Sequence, residues 1–344
     1  MPNDISLSEF HPSSELIVPA HPISRAKYPA LDAHNHLPAD RYRANPALLR
    51  QLLAEMDALN LGAIANLSGG AGDELQRNLG TLDWAYPGRF VTLCNIDWLG
   101  VGEPGWLDRT LKQFEVDIRA GARGLKVFKE LGLHYRDPRG KLILPDDECI
   151  APIWELAGTM GVPVLIHSAD PTAFFKPLDA SNERYDQLNR MLEWHFYGPA
   201  FPSFMELIES LYRTIAAHPH TTFITAHVGC YPENLGYVSK MLDTYPNMLT
   251  DMSARLAELG RAPYSAYQWF CTYADRILFG TDGADLAEYR AHFRFLETAD
   301  EYFEYRPGAP FPPTGRWNIY GINLPDDVLR KVYWENAARV YGLV

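Results

Sequence analysis

The sequence predicts an α/β fold: a (β/α)8 TIM barrel with an N-terminal extended arm and aromatic-rich insertions after strands 5 and 8. Three observations carry that prediction. Eight short, near-continuous apolar runs punctuate the chain, amphipathic helical patterns lie between them, and 344 residues suit one barrel with added loops. Runs buried on both faces belong to parallel strands covered by helices, and eight repeats favour a closed barrel over an open doubly wound sheet.

Taken in order, residues 1–29 contain Pro2, Pro12, Pro19, Pro22 and Pro29, which break regular elements and predict an extended arm before a single barrel domain over 30–344. The eight strand candidates are 30–36 (ALDAHNH), 62–67 (GAIANL), 90–96 (FVTLCNI), 124–129 (GLKVFK), 162–167 (VPVLIH), 222–227 (TFITAH), 248–251 (MLTD) and 277–281 (ILFGT). The clearest helix is 46–60, where Leu48, Leu49, Leu52, Leu53, Met56 and Leu59 recur at three-to-four spacing. Further helical patterns cover 104–120, 146–160, 203–218, 233–245 and 263–274. Two stretches break the rhythm. Residues 170–202 hold Phe174, Phe175, Tyr185, Trp194, Phe196, Tyr197 and Phe201, and 302–320 hold Tyr302, Phe303, Tyr305, Phe311, Trp317 and Tyr320. That aromatic density argues against disorder and predicts a lid or a homo-oligomer contact.

Charge and composition narrow the partners. With 31 Lys+Arg against 43 Asp+Glu the net charge is −12, which disfavours nucleic acid and anionic membrane surfaces and leaves a small-molecule substrate. No signal-like N-terminus and no membrane-length apolar run is present, and Cys94, Cys149, Cys230 and Cys271 form no C-x-x-C pair. A cytoplasmic enzyme with reduced thiols is the expectation. The stretch 68–72 (SGGAG) lacks the endings of a phosphate loop or dinucleotide site, and no G-x-S-x-G elbow occurs.

In a barrel of this kind the chemistry sits where the strands end. The first strand ends in Asp32-Ala33-His34-Asn35-His36, and alternation turns His34 and His36 the same way, roughly 6–7 Å apart. The fifth ends in His167, the sixth in His227, and the eighth runs into Asp282. Histidine fills only 11 of 344 positions, so its presence at three of eight strand ends points to ligands converging on a first-row divalent ion with a position open for water.

These pieces, with VLIHSADP, FITAHVG, FGTDG and the closing ENAARVYG, resemble the amidohydrolase superfamily, specifically its amidohydrolase-2 branch, over about residues 30–342. The branch includes hydrolases, lactonases, hydratases and non-oxidative decarboxylases. The resemblance implies that His34, His36, His167 and Asp282 hold a metal, that His227 polarises the metal water or the substrate carbonyl, and that Asp282 doubles as general base and proton donor. Zn2+ is the expected ion, with Mn2+ and Fe2+ as alternatives.

Lys126 alternates in phase with Phe128 in GLKVFK. Pointing inward, it either holds a substrate carboxylate beside one metal or, carboxylated, bridges two; otherwise it snorkels out. Arg255, after strand seven, is a second candidate for an anionic substrate group or a plain helix-surface arginine. Asp32 either orients a ligand histidine or bonds to backbone, and Glu130 either ligates or begins a helix. His195 reads as a lid or surface residue, and His11, His21, His134, His218, His220 and His292 as structural or solvated.

Three functional expectations follow. The first is a metal-dependent hydrolase cleaving a C–N or C–O acyl bond of a small, carboxylated or aromatic substrate. The second is a metal-dependent lyase, a decarboxylase or hydratase acting on an aromatic or enoic acid. The third is a non-catalytic binding protein.

Overall fold

Each apolar run becomes a strand: β1 (Ala30–Asn35), β2 (Leu61–Asn66), β3 (Phe90–Thr92), β4 (Leu125–Val127), β5 (Val164–Ile166), β6 (Phe223–Thr225), β7 (Met248–Asp251) and β8 (Ile277–Leu278). The protein is described by a computed structural model over residues 4–6, 9–10, 12–283, 285–306 and 314–343. His11, Pro2 and Phe311 lie outside the described residues.

All strand pairs are parallel and follow chain order, β1 through β3 in one run and β4 through β8 in another. Backbone bonds join the runs at both seams. Lys126 N donates to Cys94 O at 2.9 Å between β3 and β4, and Ala33 N donates to Phe279 O at 2.9 Å between β1 and the end of β8. The hydrogen-bond circuit therefore closes, which removes the exposed sheet edges.

Side-chain alternation sorts the strand residues into two buried clusters. One holds Leu31, Ala63, Val91, Leu165, Ile224, Leu249 and Leu278, from seven of the strands, and fills the barrel interior. The other packs Ile64, Phe90, Val127, Ile166, Phe223 and Ile277 against the helices. The strand missing from the first cluster is β4. Its residue in register with Leu165, and through it with Ile224 and Leu249, is Lys126, 1% exposed. A lysine thus occupies a layer position inside the barrel, the inward orientation among those the sequence left open.

The helices begin where their caps allow. Asn45 accepts from Ala47 N with Pro46 in the first turn of Pro46–Leu59, and Asn60, at φ 62°, ends it in the left-handed region. Ser203 and Glu206 form a reciprocal capping box on Phe204–Ala217. The helices expected from 104, 146 and 233 start later, at Trp106, Ala151 and Leu235. Several helices were not anticipated, among them Gly72–Thr81 and Leu286–Glu297. The first opens on a glycine-rich stretch and buries only Leu75, Asn78 and Leu79, so its apolar stripe is too narrow to register as a helical period.

The insertion after β5 is built on buried aromatics. Phe174 and Phe196 are buried, and Phe174 stacks on Trp194 at 6.3 Å between centroids. The segment after β8 folds back on itself through Phe303 and Ile319. The two insertions meet, since Arg316 of the second pairs with Asp186 of the first, and Arg261, after β7, also pairs with Glu183 of the first. Residues 12–20 carry no helix or strand, with Ile17 fully exposed, and His21 fastens this stretch to Asp300. Among the described residues no helix is long and apolar enough to cross a membrane.

Candidate metal centre

The site begins with a buried carboxylate that makes the ends of β1 and β8 adjacent. Asp32 accepts five hydrogen bonds: from His34 N and Thr281 N at 3.1 Å, Thr281 Oγ1 at 2.6 Å, Tyr289 Oη at 2.5 Å and Asn35 Nδ2 at 2.9 Å. It touches no imidazole ring. Of the two roles the sequence left open it takes backbone anchoring, and it does so where β1 and β8 end, where Thr281 precedes Asp282.

A second buried carboxylate, Asp251 at the end of β7, organises two histidines. Its Oδ2 accepts from His34 Nδ1 at 2.9 Å, while its Oδ1 accepts from His227 N and Ser253 N at 3.0 Å and from Ser253 Oγ at 2.5 Å. Burial opposes its charge, but His34 leads the groups that overcome that penalty and hold it well below the usual carboxylate range. The backbone of His227, Val228 and Cys230 lies at φ 58°, 60° and 58°, with Gly229 at 64°. A β-branched residue in this region costs on the order of 1–3 kcal/mol, strain of the kind stored where a side chain must be aimed. Here the aimed side chain is His227.

The histidines and Asp282 converge. One ligand atom from each of His34, His227 and Asp282 lies within 4.8 Å of the others. His36 Nε2 stands 3.3 Å and His34 Nε2 3.5 Å from Asp282 Oδ1, and His36 Nδ1 is 2.8 Å from Ser68 Oγ. Burial pushes His227 well below its ordinary value and lowers His36 as well. Burial alone would raise Asp282, but His36, together with the other two imidazoles, outweighs it and keeps the carboxyl ionised.

Imidazoles around a carboxylate form a set of electron-pair donors, the chemistry that a divalent cation requires. Ligand atoms about 2.1 Å from an ion sit roughly 3.0–3.5 Å apart, the spacing of Asp282 Oδ1 from His36 and His34, while the group with His227 spans up to 4.8 Å. His167 adds a further sign: its Nε2 is buried and makes no hydrogen bond, although Asp170 Oδ1 lies 3.4 Å away. Burial takes His167 down to about 4. The donor set fits a divalent metal.

A family model described as Amidohydrolase, Amidohydro_2, matches residues 29–343. The chain belongs to the amidohydrolase-2 family. No curated protein matches it. Its fold is similar to that of a Polaromonas sp. JS666 dihydroxybenzoic acid decarboxylase solved with manganese (16% identity, 93% of this chain and 97% of that one, TM-score 0.54). It also resembles the 4-oxalomesaconate hydratase of Rhodopseudomonas palustris (13%, 91% and 95%, TM-score 0.51). A third is a probable 2-pyrone-4,6-dicarboxylic acid hydrolase of Acinetobacter baumannii with citric acid bound (10%, 91% and 99%, TM-score 0.53). At these identities the likeness shows the fold, which in this amidohydrolase-2 chain is the TIM barrel.

Around the donor set the chain places charge and an opening. Lys126 Nζ lies 3.4 Å from His34 Nε2, and burial lowers its ammonium to about 8 against the pull of Asp282 and Asp251. Arg255 is buried, with Nη1 bonded to Ala254 O, Nη2 3.8 Å from Asp170 Oδ1 and Nε unpaired. It is therefore not the surface arginine the sequence also allowed. Lys129 pairs with Asp170 and lies over the rings of Trp194 and Phe196. A cleft of about 430 Å³ reaches Asp282 between the two insertions, with Trp194, Met191, Ala257 and Tyr305 among its walls.

The remaining candidates sort plainly. Glu130 begins the short helix Glu130–Leu133, and His195 Nε2 meets Lys176 O at 2.8 Å in the insertion. His292, read as structural or solvated, is buried against Glu288 O and lines the cleft. The four cysteines are free, and burial raises the Cys230 thiol, which makes it a poor nucleophile. Sequence reasoning missed Asp251, Ser253 and Asp170. The signal available was position alone, since each lies at or just beyond a strand end.

Proposed function

We propose that this amidohydrolase-2 protein is a metal-dependent hydrolase that attacks a C–N or C–O acyl bond of a small carboxylated substrate with water. The observation that carries the reading is the ionised Asp282, standing among histidines on the wall of a cleft. His34, His36, His167 and Asp282 are the residues that would hold the ion, and His227 has a ligand atom within 4.8 Å of those of His34 and Asp282. The expected ion is Zn2+, with Mn2+ or Fe2+ as alternatives. Bound there, a divalent cation acidifies water and polarises a carbonyl.

The chain's own groups supply the rest. Asp282 accepts a proton from the attacking water and returns it to the leaving group, as its place between the histidines and the cleft permits. Lys126 and Arg255 draw a substrate carboxylate toward the centre, Arg255 through its unpaired Nε–H. Trp194 and Tyr305 form apolar walls that exclude water from one side.

A second reading, a lyase that decarboxylates or hydrates an aromatic or enoic acid, is favoured by those two buried cations together with the aromatic walls. Turnover of a panel of carboxylated phenols, lactones and amides in labelled water separates the two. Heavy oxygen in the product supports hydrolysis; carbon dioxide release without incorporation overturns it in favour of the lyase. Purified protein that holds no metal and turns over nothing would leave a binding protein.

A further inference from the structure

The hydroxyl of Ser253 is within hydrogen-bond distance of three groups at once. Asp251 Oδ1 is at 2.5 Å, His34 Nδ1 at 2.9 Å and His227 Nδ1 at 3.0 Å. All four residues are buried. We propose that Ser253 is a positioning residue whose single hydroxyl accepts from Nδ1 of both His34 and His227 and ties the two rings together, with both Nε2 electron pairs left free of it. The inference rests on the metal reading above for its purpose, though not for its geometry.

The argument is one of donors and acceptors. A serine hydroxyl has one proton and two lone pairs, and an ionised carboxylate only accepts. The short contact to Asp251 takes the proton. Both imidazole Nδ1 atoms then face lone pairs, so each must carry a hydrogen.

Every other neighbour agrees. His34 Nδ1 also meets Asp251 Oδ2 at 2.9 Å, and His227 Nδ1 meets the carbonyl oxygen of Ser253 at 2.9 Å, and neither of these can donate. On the opposite side of the His34 ring, Lys126 Nζ lies 3.4 Å from Nε2, where an ammonium donates to a lone pair. His34 Nε2 and Asp282 Oδ1, 3.5 Å apart, are then two electron-pair donors facing one another, an arrangement that calls for a cation.

The assignment also constrains His227. As the Nδ1–H tautomer it offers an electron pair at Nε2 and no proton, so while neutral it cannot polarise a substrate carbonyl by donating to it. One hydroxyl, held by one carboxylate, joins Asp251 Oδ2 and the Ser253 carbonyl in holding rings on β1 and after β6.

Nitrogen-15 NMR of histidine-labelled, metal-free protein reads the tautomers directly. Both rings are expected as Nδ1–H in the wild type. Ser253→Ala keeps the 253 carbonyl and Asp251 Oδ2 as acceptors, so both rings are expected to stay Nδ1–H while the lost tie between them weakens Zn2+ binding about 10–100-fold; Ser253→Thr, which keeps the hydroxyl, restores the affinity. Either ring found as Nε2–H in the wild type overturns the proposal, as does a Ser253→Ala protein with unchanged Zn2+ affinity. Wild-type protein that binds neither Zn2+ nor Mn2+ sinks the metal reading instead, and the wild-type tautomers still test whether Ser253 accepts from both rings.

Discussion

Lys126 Nζ lies 3.4 Å from His34 Nε2, inside a barrel layer that is otherwise aliphatic. A buried ammonium in that layer is costly, and the cost appears as a pKa lowered from 10.5 to about 8 by desolvation. Between about pH 8 and 10.5 the unfolded chain retains a proton that the folded chain has released, so stability rises with pH across that window. The effect is on the order of 3 kcal/mol. Metal-free protein should therefore gain resistance to urea between pH 7.5 and 10 relative to Lys126→Met. Parallel urea midpoints in the two proteins over that range would show that the lysine is not desolvated.

Asp32 makes a different prediction, because its role is scaffold. Removing its carboxylate leaves Tyr289, Asn35 and Thr281 without their acceptor in a fully buried setting. Asp32→Ala should cost about 3–5 kcal/mol by denaturant unfolding. A loss below about 1 kcal/mol would mean that water or a neighbour replaces the carboxylate at little cost.

The contrast between these carboxylates marks what the sequence could reveal. The convergence of His34, His36, His167, His227 and Asp282 was legible because strand ends gather at one end of a barrel and histidine is scarce, so position and residue type pointed to it. The inward turn of Lys126 was legible as one option, and the register with Leu165 decides it. Asp251 was not legible. Its partnership with His34 spans 217 residues, and MLTD reads as an ordinary strand whose last residue meets solvent. Ser253 and Asp170 were hidden for the same reason: their meaning lies in what the closed barrel brings next to them. The helix Gly72–Thr81 was obscured by its glycine-rich start, where a tight approach to Leu93 O, not flexibility, explains Gly69.

Metal removal tests the donor set as a whole. An ion that binds only the folded chain adds about 2.7 kcal/mol of stability at a hundredfold excess over its Kd. A chelator should therefore lower the melting temperature by a few degrees and abolish turnover, and Zn2+ or Mn2+ should restore both. Elemental analysis should find one equivalent per chain. Two equivalents, falling to one in Lys126→Ala, would instead establish a carboxylated lysine bridging a pair of ions.

Asp282 follows β8 and Asp32 lies on β1, joined across the seam through Thr281, yet their substitutions should separate cleanly. The Asp282 side chain is 31% exposed and opens to the cleft, whereas Asp32 is fully buried and saturated with donors. Loss of charge at Asp282 removes the proposed base but strands few partners. Asp282→Asn should lower kcat roughly 10²–10⁴-fold while moving the unfolding midpoint far less than Asp32→Ala does. Measured together, turnover and urea unfolding of the two variants decide the assignment. An Asp282→Asn protein that unfolds as readily as Asp32→Ala but keeps its turnover would make Asp282 the scaffold, and the proton transfer assigned to it would have to belong to another group at the cleft.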